Sequence, residues 1–475
     1  MSNSIARPLA GAVRGTRVGA AIEFLGVPYA GARRFAAPDP LAPWPGVRDA
    51  SAPGPAAPQP PRPAASWTHG PVRSQSEDCL NLNIWTPELS GARAVLVFIH
   101  GGGFAIGHGA ASIYRGAWLA AAGDVVVVTL NYRLGSLGWL AHPRLAAGPG
   151  APAGNWGLLD QIAALRWVAD NIAAFGGDPR RVAVVGQSAG ALSAINLLTA
   201  PPAAGLFRRL VLQSPPMGDL AQGPDRAEAW ALALSELATG APGFDADALR
   251  RLPAAALVDL HERLLGAPRF RGTRGGALPT LEPFTIPCSA TEHPGARAEV
   301  DVLIGHTADE GTFFTRAPWL EPTGGGPSPE EVTEALIARP LAAWAHSRAS
   351  AGGRVWRYRF DHPVAGPRLG ATHTSEVPLL FGSWRDGGPG ERLGGHSLPD
   401  GLARTEEVSA AIRSSWLAFI RGEPPGWDPL PAGDAPGELG VFGGPSAFTR
   451  EPLRAVAPAD ARARGPVNQG TGSAR

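Results

Sequence analysis

The chain has 475 residues, 44% hydrophobic and 17% charged, with 42 Lys plus Arg against 41 Asp plus Glu and a net charge of +1. That supplies a large buried core, and a near-neutral balance without clustered positive charge excludes a nucleic-acid surface. No apolar run approaches the roughly 18 residues of a membrane span, no signal-like segment follows Met1, and Cys79 and Cys288 are too few for a disulfide framework, so the cytoplasm is the expected location.

In chain order, residues 1–78 read as mostly loop, with short strands at 10–13 and 22–27. A Pro/Ala-rich stretch, 53–63, looks like surface rather than a folding unit. From Val95 the pattern changes. Residues 95–99 and 125–130 are continuous apolar runs of strand length, separated by 112–122, which can form a helix. Residues 158–175 carry Leu159, Ile162, Leu165, Val168 and Ile172 at helical spacing and stop at Gly176-Gly177. Further strands are expected at 182–185, 210–213, 300–305 and 355–360. Residues 224–270 read as helices forming a lid or a side excursion. Thr405 is placed to cap a last long helix, 406–421, closed by Gly422 and Pro424. Buried strands alternating with amphipathic helices predict an α/β fold, a mostly parallel central sheet with helices on both faces. Residues 1–475 show no repeat and are expected to form one domain, with 457–475 a disordered tail.

Gly186-Gln187-Ser188-Ala189-Gly190 lies between the strand at 182–185 and an apolar helical stretch that begins at Ala191. Strand, G-x-S-x-G, helix is the nucleophile elbow of a serine hydrolase. The glycines permit a turn too sharp for side chains beside the serine. The helix that follows turns free amides and its positive end toward a developing oxyanion. Alone, the pentapeptide also fits a plain Gly-rich strand-to-helix turn. His100-Gly101-Gly102-Gly103-Phe104 directly follows the strand at 95–99 and reads as an oxyanion-hole loop. A phosphate-cradling G-x-G-x-x-G fails on spacing, because Ile106 stands where the last glycine belongs and Gly107 comes one place late. An acid and a histidine must follow the serine. Asp309 and Glu310 are both placed for the acid, just after the strand at 300–305. Seven histidines follow Ser188, namely His261, His293, His306, His346, His362, His373 and His396. Pattern alone selects neither the acid nor the base.

Several longer stretches carry a resemblance. They are Phe24-Leu25-Gly26-Val27-Pro28-Tyr29-Ala30, Ser76-Glu77-Asp78-Cys79-Leu80-Asn81-Leu82-Asn83-Ile84-Trp85, Asn131-Tyr132-Arg133-Leu134-Gly135, Gly154-Asn155-Trp156-Gly157-Leu158-Leu159-Asp160-Gln161 and Phe175-Gly176-Gly177-Asp178-Pro179. On these, the chain resembles the type-B carboxylesterase family, which includes bacterial para-nitrobenzyl esterases and the cholinesterases, over nearly its whole length. The resemblance implies an α/β-hydrolase fold. It implies Ser188 as nucleophile, Glu310 as acid, and His373, within Ala371-Thr372-His373-Thr374-Ser375-Glu376, as base. Gly102, Gly103 and Ala189 match the backbone oxyanion donors. Arg34 with Glu77, and Arg133 with Asp160, match structural ion pairs. Phe313 and Phe314 follow the acid where relatives place pocket walls, so they are expected to bind substrate; plain core is the other reading.

The chain also departs from the family. Gln187 stands where many members carry Glu, and Asn81 replaces the usual Tyr or Thr. No cysteine precedes Cys79 to pair with it. The regions 220–290 and beyond Pro318 are short, which trims the lid and gorge walls.

The expected chemistry is hydrolysis of a small-molecule carboxylic ester through an acyl-serine, with no metal or cofactor and no nucleic-acid or membrane partner. Two other readings are kept, an inactive adhesion or scaffold member, recognised in the family by a lost serine, and an acyltransferase using the same three residues. Uncharged short-to-medium alkyl or aryl esters are the expected substrates. A net charge of +1 provides no negative field for a choline ester. Trp67, the nearest candidate for a cationic cage, has the wrong spacing to Cys79.

Overall fold

The computed structural model describes residues 4–61, 70, 72–217, 221–267, 278–316, 326–366, 368–385, 401–433 and 435–453. Trp67, His396 and the tail 457–475 lie outside them. The described strands are β1 (Ser4–Ala6), β2 (Ala12–Val18), β3 (Ala21–Pro28), β4 (Val47–Asp49), β5 (Asn81–Thr86), β6 (Arg93–Ile99), β7 (Val126–Leu130), β8 (Gly177–Gln187), β9 (Arg209–Gln213), β10 (Asp301–Thr307), β11 (Val355–Phe360), β12 (Gly437–Phe442) and β13 (Phe448–Leu453). They form one sheet in the order β1-β2-β3-β5-β7-β6-β8-β9-β10-β11-β12-β13, with β4 beside β2. The seven strands from β7 to β12 run parallel, while β1, β2, β3, β5 and β13 add antiparallel edges.

The continuous apolar runs are explained by burial on both faces. Alternate residues of each strand go to opposite sides. On one face, Val95, Val97, Ile99, Val182, Val184, Leu210, Val302 and Ile304 pack with the helices Trp156–Asn171 and Ala189–Asn196. On the other, Leu96, Phe98, Val127, Val185, Val211 and Leu303 pack with α1 (Ala117–Gly123), the short helix Val377–Phe381 and the long helix Gly401–Arg421. The helices Pro224–Thr239, Ala246–Arg251 and Ala254–Leu265 close a third apolar cluster around Trp156, Trp230 and Leu260, a side excursion beside the sheet. No described helix is long and apolar enough to cross a membrane.

Four expectations need correction. The helix at 112–122 is broken into a single turn, Ser112–Tyr114, and α1. Between them the chain passes so close to the sheet that a Cβ on Gly116 would lie 2.7 Å from Trp85 and Val127. The last helix begins at Gly401, not after Thr405, whose buried hydroxyl meets His362 Nε2 at 3.0 Å instead of capping. The strand expected at 10–13 runs 12–18, after a turn in which Gly11 N donates to Pro8 O. The stretch 53–63 is not simply surface, since Ala56, Ala57 and Gln59 are buried.

Candidate active site

The carboxyl ends of parallel strands, where strand order reverses, form a natural crevice. Here β6 and β8 lie adjacent, with β7 and β9 on their outer sides, and their C-terminal loops carry the glycine run and the elbow. Ser188 has φ 55° and ψ −123°, a conformation strained for any residue but glycine. Close packing holds it there. A Cβ on Gly190 would lie 2.0 Å from Ile99 O, and one on Gly186 would lie 2.4 Å from Gly190 O, so both positions require glycine. Ser188 N donates to Gln213 O at 2.8 Å, tying the elbow to β9.

Beyond β10, Asp309 and Glu310 diverge. Asp309 Oδ2 accepts from Ala371 N at 2.8 Å and Asp309 N donates to Ala371 O at 3.0 Å, so Asp309 staples the loop that precedes His373. Glu310 opens the short helix Glu310–Arg316 and is fully buried. Its Oε1 accepts from Thr307 N at 2.8 Å, and its Oε2 lies 2.5 Å from His373 Nδ1. Burial works against ionisation of Glu310, but the neighbouring His373 outweighs it and holds the carboxyl below its usual range. The ring of His373 packs beside Phe313 and Phe314, at centroid distances of 5.3 and 5.2 Å, and the two phenylalanines meet each other edge-on at 5.2 Å. Both phenylalanines are half-buried against core residues, so they line one side of the imidazole while keeping exposed surface.

The other imidazole nitrogen is engaged by an unexpected neighbour. His373 Nε2 lies 3.1 Å from the side-chain amide of buried Gln187. Among the described residues no hydrogen bond joins Ser188 Oγ to His373. A Cβ on Gly101 would lie 2.6 Å from Gln187 Oε1 and 3.0 Å from Ser188 Cβ, so the glycine loop, Gln187 and Ser188 share one small space.

The glycine loop is anchored by its histidine. Burial pushes the His100 imidazole down to about 3, leaving it neutral, and its Nδ1 lies 2.8 Å from Gly101 O. The ring stacks on Tyr132 at 4.5 Å, whose hydroxyl donates to His100 O at 2.8 Å. Gly102 and Gly103 have φ of 111° and 61°, and Gly102 O accepts from Ala105 N and Ile106 N at 3.1 Å each. Ala189 is the first residue of the helix Ala189–Asn196, where helical geometry leaves its N–H without an internal acceptor.

One buried group escaped the sequence reading. Glu376, one helical turn beyond His373, is fully buried and accepts from Gln213 Nε2 at 3.2 Å. Burial, reinforced by the charge of Glu310, pushes its carboxyl up to about 8. A Glu three residues after a candidate histidine was the available signal. Away from these groups, Arg133 and Asp160 form a buried bidentate pair at 2.6 and 2.8 Å, and Arg34 bonds Glu77. Among the described residues no group of three His, Cys, Asp or Glu is placed to hold a metal ion.

Residues 2–325 match the sequence profile of the carboxylesterase family. The para-nitrobenzyl esterase of Bacillus subtilis (strain 168) is 35% identical over 460 residues, covering 89% of this chain and 90% of the relative. The phenmedipham hydrolase of Pseudarthrobacter oxydans is 37% identical over 478 residues, covering 90% of this chain and 92% of the relative. A solved structure of a thermophilic PNB esterase superposes with a TM-score of 0.84 at 32% identity, over 95% of this chain and 98% of the other.

Proposed function

This chain belongs to the carboxylesterase family, and we propose that it hydrolyses carboxylic esters through an acyl-serine, with Ser188 as nucleophile, His373 as general base and Glu310 as its orienting acid. The observation that carries this reading is the 2.5 Å contact from Glu310 Oε2 to His373 Nδ1 at the strand ends beside the elbow. It fixes the tautomer with Nδ1 protonated and leaves the Nε2 lone pair to accept a proton. Gln187 must yield that nitrogen to the Ser188 hydroxyl as substrate enters.

In the forward step Ser188 Oγ bonds to the ester carbonyl carbon while its proton passes to His373 Nε2. The carbonyl electron pair moves onto oxygen, which takes N–H bonds from Gly102, Gly103 and Ala189. His373 returns the proton to the alcohol oxygen as the C–O bond breaks, leaving acyl-serine. Water then repeats the sequence, giving acid and free Ser188. Phe313 and Phe314 supply an apolar wall beside the imidazole. With relatives named for a nitrobenzyl ester and for phenmedipham, that wall supports uncharged alkyl or aryl esters as substrates.

The test is Ser188→Ala, assayed on nitrophenyl esters of increasing acyl length. We expect loss of turnover with the fold retained, and one organophosphonate adduct by intact mass in the wild type, localised to Ser188. An active variant, or an adduct on another residue, would refute the assignment.

A further inference from the structure

The buried part of the Pro/Ala-rich segment makes a specific contact with the glycine loop. Gln59 Oε1 accepts from Gly107 N at 2.9 Å, and Gln59 Nε2 donates to Gly107 O at 3.0 Å. One side-chain amide thus satisfies both polar groups of a single residue, as a neighbouring β-strand would. Nε2 also donates to Ala57 O at 3.1 Å, and Gln59 N donates to Gln75 Oε1 at 3.0 Å. Gly107 closes the loop that begins at Gly101. Its φ is 110°, and a Cβ there would lie 2.5 Å from His100 Nδ1 and 2.8 Å from Gly101 O. The end of the loop is therefore pressed against its own beginning. A two-point bond resists rotation of Gly107 as well as displacement, and any tilt of Gly107 is passed to Gly101 and on to Gly102.

We propose that Gln59 is a positioning residue that holds the amides of Gly102 and Gly103 on the developing oxyanion by clamping Gly107. This rests on the oxyanion role proposed for those glycines. Because a transition-state contact is involved, loss of the clamp should lower kcat and leave KM nearly alone.

Gln59→Met keeps the volume and removes both bonds. Gln75→Ala is the control, since it frees the backbone of Gln59 without touching Gly107. Rates on nitrophenyl butyrate are normalised by active-site titration with a nitrophenyl phosphonate. Affinity is measured for a trifluoromethyl ketone, whose serine adduct places an oxyanion on the same amides. A full donor is worth roughly 10²–10³ in kcat, so an indirect support should cost about tenfold to a hundredfold in Gln59→Met. The ketone should weaken by the same factor, with KM shifted about twofold or less. Gln75→Ala should lower thermal stability with kcat near wild type. Unchanged kcat and ketone affinity in Gln59→Met, or equal kcat losses in both variants, would overturn the proposal. If Gln59→Met does not fold, hydrogen exchange on the wild-type chain decides. The Gly107 amide should exchange far more slowly than that of Gly103, and equal rates would overturn the clamp. An active Ser188→Ala enzyme would refute the esterase reading itself, whereas an inactive one beside an unaffected Gln59→Met would refute only this inference.

Discussion

Glu376→Gln should stabilise the protein, and the gain should grow with pH. Glu376 is fully buried, next to Glu310, and its carboxyl is raised from an ordinary value of 4.5 to about 8. The unfolded chain ionises this group near its ordinary value, while the fold keeps it protonated until about 8. Between those limits folding must take up a proton, so the wild type loses stability steadily as pH rises through that window and no further above it. Below the ordinary value there is nothing to lose. A shift from 4.5 to about 8, at about 1.4 kcal/mol per unit, amounts to about 5 kcal/mol once the folded group is ionised and about 3 kcal/mol at neutral pH. Glutamine has nearly the shape of the protonated acid, can still bond Gln213, and removes the whole penalty. Urea denaturation of wild type and Glu376→Gln at pH 5, 7 and 9 would read the difference directly. We expect about 1, 3 and 5 kcal/mol in favour of the variant. A difference independent of pH, or a variant less stable at pH 9, would show that the fold carries Glu376 as a charged carboxylate and refute the reasoning.

Glu310→Gln should lower kcat by roughly 10³–10⁴, because the imidazole loses its anion and its tautomer, whereas Asp309→Asn, which keeps an acceptor for Ala371 N, should be mild; steady-state kinetics on a nitrophenyl ester separates them. Gln187→Glu should move the acid limb of the kcat/KM profile to higher pH by about 1–3 units, since an added anion beside the imidazole favours its protonated, inactive form; an unmoved limb would count against the Gln187–His373 contact. Gly102→Ala should cripple kcat, because its Cβ would sit 2.1 Å from Ile106 O, while Gly103→Ala meets nothing within 4 Å and should cost about 1–2 kcal/mol for its left-handed backbone; kcat with active-site titration distinguishes the two. Nitrophenyl butyrate should be preferred to butyrylthiocholine in kcat/KM, as a net charge of +1 offers no steering for a cation.

The parallel strands were legible because they are buried on two faces. Residues 95–99 and 125–130 have no polar residue to interrupt the run except Thr129, which bonds Gly109 O inside the core. The outer strands were legible only in part, since β3 falls at the expected 22–27 and β2 overlaps the expected 10–13, whereas the last two strands were not expected. β12 and β13 mix Gly, Glu, Arg and Pro with apolar residues, and β5 was noticed as a motif but not as a strand. The turn chemistry of the elbow was legible from glycine spacing, since Gly186 and Gly190 are forced by contacts under 2.5 Å. The choice between Asp309 and Glu310 was not. Adjacent residues leaving a strand for a helix point apart, and only tertiary packing sends one to a backbone amide of the following loop and the other to an imidazole. Gln59 was hidden for a related reason. A single glutamine among prolines and alanines has no periodicity, and its partner lies 48 residues away.

Three buried glutamines surround the candidate site, and their neutrality explains how it tolerates burial. Gln59 clamps Gly107, Gln187 meets His373, and Gln213 meets Glu376. Each gives a directional contact without adding a charge that the low-dielectric interior would have to compensate. Among the described residues Glu310 is left as the one buried carboxylate paired with an imidazole, while Glu376 stays protonated beside it up to about 8. The consequence is sharpest at Gln187. Handing His373 Nε2 from an amide N–H to a serine O–H exchanges one neutral hydrogen bond for another, at a net cost near zero. On the proposed mechanism, a glutamate at that position would instead hold a protonated imidazole in an ion pair that has to be broken before Ser188 can lose its proton. The amide therefore keeps the proposed base oriented at rest without making it reluctant to change partners.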